Sequence, residues 1–195
     1  MIAFVSGRFV TKLPSQVIVD VNGVGYDLQI SLNTYSHISN IESGKLHTYL
    51  HITENAQTLY GFFDLAEKEL FLQLISVSGV GASTARMMLS GMKPDEIINS
   101  IIQNNTKQLE SIKGIGRKTA ERIIVELKDK LGRLQTNLQV GSYSLNTTEI
   151  DALNALIALG IQKSVAEAAI KKVISSSGNN NPTVESIIKL ALKNI

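Results

Sequence analysis

Residues 76–85 and 111–120 are two versions of one decapeptide set 35 positions apart. Ser76-Val77-Ser78-Gly79-Val80-Gly81-Ala82-Ser83-Thr84-Ala85 aligns with Ser111-Ile112-Lys113-Gly114-Ile115-Gly116-Arg117-Lys118-Thr119-Ala120. Ser, both glycines, Thr and Ala coincide, and Val pairs with Ile twice. Two copies are too few for a solenoid, which stacks at least about three; they read instead as a matched pair. Each copy fits a helix, a Gly-x-Gly turn and a second helix beginning near Thr84 or Thr119. Glycine permits the sharp turn and leaves no Cβ between the backbone and whatever approaches it. The first amides of the following helix then point outward, where the helix dipole favours an anion. Ala85 and Ala120 let the paired helices come close. Such an element can hold a phosphate and has nothing with which to read a base.

Charge supports an anionic partner by its placement. The chain carries a net charge of +2, but residues 107–133 hold eight Lys or Arg against four Asp or Glu. Residues 1–64 hold three against five, and residues 136–195 five against four. A local basic excess is the electrostatic footprint of phosphate binding, and equally that of a solvated helix face. There is no cysteine, which excludes a disulfide framework and cysteine-held zinc or iron–sulfur sites. No run reaches the roughly 18–20 apolar residues of a membrane span, and the start lacks a signal-peptide pattern. A soluble, cytoplasmic chain without membrane partner or cofactor is expected.

The pair sits in the middle of three blocks, giving an α+β, multidomain fold class. Residues 1–63 read as five or six short strands, with Asn22-Gly23 as a hairpin turn and Thr53 to Gln57 as a polar tip between two more strands. That density suggests a small OB-like β-barrel. Residues 64–133 read as an all-α domain carrying the paired hairpins, with Asp64 and Glu67 as a cap and its acid three residues on, and Pro94-Asp95-Glu96 as another helix start. Residues 134–147 lack charge and period and read as a flexible linker, with a span of about 20 Å. Residues 148–195 read as a three-helix module with starts at Thr148, Ser164 and Thr183 and a stop at Gly160.

Two other patterns carry less. Gly116-Arg117-Lys118-Thr119 lacks the Gly-Lys-Ser/Thr of a nucleotide P-loop, and a helix rather than a strand precedes it. His47 and His51 share a strand face, but no third metal ligand is evident.

The strand block, paired Gly-Val-Gly and Gly-Ile-Gly hairpins, linker and helical tail together resemble the RuvA family, the Holliday-junction-binding subunits of the bacterial branch-migration machine. The likeness covers essentially the whole chain. It is most specific at Val21-Asn22-Gly23-Val24-Gly25-Tyr26, Leu59-Tyr60-Gly61-Phe62, Leu89-Ser90-Gly91-Met92 and Gly114 to Arg122. The resemblance implies a non-catalytic subunit that binds four-way DNA junctions by structure and not by sequence, in recombination, DNA repair and the SOS response. It implies a homotetramer, one or two per junction, that holds the junction open. A RuvB-type hexameric ATPase would dock on the C-terminal module, and a RuvC-type resolvase is a further partner. The DNA-contacting residues would be Gly79, Gly81, Ser83, Thr84, Gly114, Gly116, Arg117, Lys118 and Arg122. Glu54 and Asn55 would form a central junction pin, and Leu156, Leu159 and Ile161 the motor-docking surface.

Two positions depart from the family pattern. Where members often have Lys, two residues after the first Gly-Val-Gly, this chain has Ser83. Where the pin commonly has two acids, it has Glu54 and the uncharged Asn55. Two rival readings stay open at this level. In the first, the second hairpin resembles that of endonuclease III-type glycosylases, with Lys118 as a Schiff-base nucleophile. That reading lacks the Asp those enzymes need, since Gln135-Thr136-Asn137 stand there. The second rival is a generic duplex-binding scaffold.

Overall fold

The computed structural model describes residues 1–139, 147–176 and 182–194. The chain divides into two compact units, Met1–Thr136 and Asn137–Ile195.

The first unit opens with β1 (Phe4–Leu13), β2 (Gln16–Val21), β3 (Val24–Ile30), α1 (Leu32–Ile38), β4 (Ser43–Ile52) and β5 (Gln57–Phe62). The strands close into a barrel in the order β1-β2-β3-β5-β4. All pairs are antiparallel except β3 with β5, where Gln29 faces Tyr60 and Ile30 faces Gly61. A five-stranded barrel with a helix between its third and fourth strands is the OB arrangement expected for residues 1–63. Its interior follows from alternation: Val17, Val19, Leu28, Ile30 and Leu46 point inward and are buried, while their neighbours on the strands face out. The Asn22-Gly23 turn forms as the sequence indicates, with both residues at positive φ (52° and 89°).

The helix α1 is absent from the sequence-level expectation. It spans only seven residues and buries just Thr34 and Ile38, so it offers little periodicity to read. Its N-cap Ser31 accepts the Thr34 amide at 3.0 Å. Its carboxyl end is closed from outside, where Lys12 Nζ donates to the carbonyls of Ser39 and Ile41, each at 2.8 Å.

The helical part of this unit holds α2 (Leu65–Ile75), α3 (Ala82–Gly91), α4 (Pro94–Ile102), α5 (Thr106–Glu110) and α6 (Arg117–Gln139). Its core gathers Leu70, Phe71, Leu74, Met88, Leu89, Ile97, Ile101, Leu109, Ile123 and Leu127, and runs on to Tyr60 and Phe62 of the barrel wall. The Phe71 ring lies 5.0 Å from Tyr60 and 4.9 Å from Phe62. Asp64 caps α2 as expected, accepting the Glu67 amide at 2.7 Å. Glu67 itself corrects the reading of it as the cap's reciprocal acid: its side chain turns inward to Ser31 and Thr34 of the barrel.

The linker expected over 134–147 is corrected in its first part. The helix α6 continues to Gln139, because Leu127, Leu131, Leu134 and Leu138 keep the i+4, i+3, i+4 spacing that an uncharged composition obscures. The rest of that expectation, residues 140–146, lies outside the described residues.

In the second unit α7 (Thr147–Ala158), α8 (Lys163–Ser176) and α9 (Val184–Lys193) enclose a small core of Ala152, Leu156, Ala166, Ala169, Ile170, Val173, Ile187 and Ala191. Thr183 caps α9, and Gly160, at φ 89°, ends the turn after α7. Among the described residues no helix is long and apolar enough to cross a membrane.

Candidate nucleic-acid interface

The two hairpins repeat in their hydrogen bonds as well as their letters. Val80 donates to the Val77 carbonyl and Ile115 to Ile112, both at 3.0 Å. Gly79 and Gly114 occupy nearly the same left-handed backbone, at φ 90° and 93°, which a side-chain-bearing residue would adopt only under strain. Ala85 donates to the Gly81 carbonyl at 2.9 Å and Ala120 to Gly116 at 3.0 Å. Each helical ladder therefore begins at the second glycine, and the three amides after it stand ahead of the ladder. The helices start at Ala82 and Arg117, two residues before the Thr84 and Thr119 expected from sequence. Burial repeats too: Val77, Val80, Ala85, Met88 and Leu89 are core, as are Ile112, Ile115, Ala120, Ile123 and Ile124.

The second glycines, Gly81 and Gly116, are of a different kind. Neither has positive φ, and a Cβ built on either meets no atom within 4 Å. Among the described residues nothing requires glycine there. What a side chain at either place would do is stand between the exposed amides and an anion approaching them.

The pair is interlocked in a way the sequence does not announce. Arg122 of α6 reaches the first hairpin, where its Nη1 donates to the Ser78 carbonyl at 3.1 Å and lies 3.8 Å from the Cβ position of Gly79. Met87 of α3 reaches the second hairpin, its sulfur 3.7 Å from the Cβ position of Gly114. Positions 87 and 122 differ by the same 35 residues as the repeat, so each second helix covers the opposite turn. The positive charge carried by repeat two is thereby delivered to repeat one, whose own flank of Ala82 and Ser83 has none.

The other expected contacts are placed as follows. Ser83 and Lys118 occupy equivalent exposed positions, and Thr84 and Thr119 are half-buried behind them. Arg117 projects into solvent but pairs with Glu121, Nε to Oε1 at 2.9 Å. That hydrogen bond, with the nearby charges of Glu121 and Glu110, raises its pKa further. A phosphate would have to compete with Glu121 for this guanidinium. Arg122 also lies 3.9 Å from Glu126. Lys118 has no ion-pair partner among the described residues, which leaves it the more available cation.

Glu54 and Asn55 are exposed at the β4–β5 tip, held by the Thr53 amide donating to the Ala56 carbonyl at 2.9 Å. A single carboxylate crowns this turn. At its base His51 packs against Tyr49 and Tyr60, with ring centroids 6.1 and 6.3 Å away. The other histidine of that strand, His47, has its pKa lowered by burial first, then by Lys45 and Lys68. In the second unit the expectation for Leu156 is corrected: it is fully buried in the three-helix core and cannot face a partner. Leu159 is 64% exposed, and Ile161 is half-buried against the same core.

Comparison with known families matches residues 1–61 to the RuvA N terminal domain, 71–129 to a SAM-like helix-hairpin-helix tandem, and 150–195 to the RuvA C-terminal domain. A protein of Cytophaga hutchinsonii named Holliday junction branch migration complex subunit RuvA is 45% identical, across 99% of both chains. Proteins of the same name from Flavobacterium psychrophilum and Bacteroides thetaiotaomicron are 46% and 42% identical, with both chains covered completely.

Proposed function

The chain belongs to the RuvA family, and from that premise we propose that it binds four-way DNA junctions through backbone phosphates and recruits a RuvB-type ATPase to drive branch migration in recombination and repair. The observation that carries this reading is the pair of second glycines, kept side-chain-free where no internal packing demands it. Two phosphate seats in one compact unit, tied to each other through Arg122 and Met87, offer a duplex arm two points of attachment. They offer no group to read bases.

Each arm's grip is assigned to Gly79, Gly81, Ser83, Thr84 and Arg122 at the first hairpin and to Gly114, Gly116, Arg117 and Lys118 at the second. A homotetramer, alone or as a pair enclosing one junction, would gather four Glu54 carboxylates at the centre. There they repel a phosphate strand that crosses it, so continuous duplex is disfavoured relative to strands that diverge. In this reading the protein is cytoplasmic, acts in the SOS response alongside a RuvC-type resolvase, and is a non-catalytic subunit whose motor lies on another chain. The domain assignment follows: residues 1–63 carry the pin, 64–133 the hairpins, and 148–195, through Leu159 and Ile161, the motor contact.

The experiment is a titration of four-way junctions of unrelated sequence with the full chain and with Gly81→Val/Gly116→Val. Equal affinity for all sequences, lost in the variant while its assembly state is kept, is expected. Full affinity in the variant would remove the hairpins from the interface.

A further inference from the structure

Of the five buried polar or charged residues described, Ser31, Thr34, Thr48, Glu67 and Ser100, three form one network. Glu67, at the start of α2, is completely buried and accepts hydrogen bonds from the Ser31 hydroxyl and, at 2.7 Å, from that of Thr34. Those hydroxyls are themselves committed. Ser31 Oγ accepts the Thr34 amide, and Thr34 Oγ1 accepts the Phe63 amide at 3.0 Å, where the chain leaves the barrel. Burial raises the Glu67 pKa, the Ser31, Thr34 and Asn33 hydrogen bonds oppose that, and Asp64 nearby adds to it. A lone carboxyl in such a place is expensive, and a hydrophobic residue would fill the volume more cheaply. What it supplies is direction: a carboxylate fixes two hydroxyls in angle and distance, where an apolar face lets helices slide.

Among the described residues the other polar ties between barrel and helical domain are exposed or only half-buried. Arg86 donates to the Ser15 carbonyl and Gln29 Oε1, and the Leu32 amide to Ser90 Oγ. Water can substitute in both, and cannot at Glu67.

We propose that Glu67 is a positioning residue, which through Ser31 and Thr34 sets the barrel-borne tip at Glu54 relative to the hairpin glycines of the helical domain, and so sets discrimination between junction and duplex. This rests on the proposed junction reading, because only a ligand touching tip and hairpins together senses their relative placement. A continuous duplex gripped by the hairpins meets the tip as a repulsion, which weakens when that placement is lost.

The test uses full-length Gln57→Cys/Gln103→Cys, uniquely labelled because the chain has no other cysteine. It is spin-diluted with unlabelled protein so that only distances within one protomer are read. Glu67→Gln keeps the volume but can accept only one hydroxyl, and Thr34→Val removes one donor. Each is expected to broaden the label-to-label distance distribution without DNA. Each should also lower the junction-to-duplex affinity ratio about threefold or more, chiefly by tightening duplex binding as the repulsion from a misplaced Glu54 weakens. The two together should do no more than the stronger one alone, since both break one network. If Glu67→Gln does not fold, Thr34→Val carries the same test. An unchanged distribution and ratio, with only a lower melting temperature, would overturn the proposal. Should the parent show no junction preference, the junction reading fails, while the DNA-free distribution still decides whether Glu67 positions the two domains.

Discussion

Ser83→Lys moves a cation into the one hairpin that lacks its own. Position 83 is exposed, lies at the second residue of α3, and matches Lys118 in backbone and burial. The new side chain therefore has room and a worked example of its placement 35 residues away. Against it stands the positive end of the α3 dipole, costing about 0.3–1 kcal/mol of stability. Each phosphate newly neutralised on a duplex arm steepens the log–log dependence of binding on salt by about 0.9. Between 50 and 200 mM salt that is about a 3.5-fold greater loss of affinity for every protomer engaged. Lys118→Ala should flatten the dependence by the same amount, and the double variant should return to the parental slope. Arg117→Ala should flatten it less, because Glu121 already holds that guanidinium. Fluorescence anisotropy on a labelled junction across that salt range measures the parent and all four variants. If Ser83→Lys leaves the slope unchanged while Lys118→Ala alters it, the first hairpin does not face a phosphate, and the equivalence of the two turns is structural only.

The two glycines of a hairpin should separate in their effects. Gly114→Ala, at φ 93°, should destabilise the fold by about 1–2 kcal/mol in chemical denaturation, whereas Gly116→Ala should leave stability unchanged and weaken DNA binding. Glu54→Gln should tighten duplex binding more than junction binding and Asn55→Asp do the reverse, as read from the affinity ratio at two salt concentrations; an invariant ratio makes the tip decoration. In the second unit Leu156→Ala should lower stability by about 2–5 kcal/mol as a core truncation, while Leu159→Asp should leave melting unchanged and abolish stimulation of the partner ATPase. A chain ending after Gln139 should still bind junctions, and normal ATPase stimulation by it would place the motor contact elsewhere.

The hairpins are legible in the sequence because their constraints are local: a left-handed glycine, an open glycine and a small residue at close helix approach all fall within ten positions. The barrel follows from alternation and one Asn-Gly turn. What escapes is either too short or too distant. The helix α1 has a seven-residue span and only Thr34 and Ile38 to bury. Glu67 sits at the spacing of a capping acid, and only the folded barrel supplies Ser31 and Thr34 to draw it inward. Leu156 and Leu159 look alike beside Gly160, yet the packing of α7 buries one and leaves the other out. The exchange of Arg122 and Met87 between turns is a tertiary relation, although their 35-residue offset is a signal that the repeat alignment, extended by two residues, makes visible.

The most direct measurement is competition. A labelled four-way junction bound by the full-length chain is challenged with unlabelled junction and with unlabelled linear duplex of equal length and composition, at low and at moderate salt. Junction should displace the label at least about tenfold more effectively than duplex, a difference near 1.4 kcal/mol that survives the rise in salt. Equal displacement at both concentrations would contradict junction recognition and leave a duplex-gripping scaffold in its place.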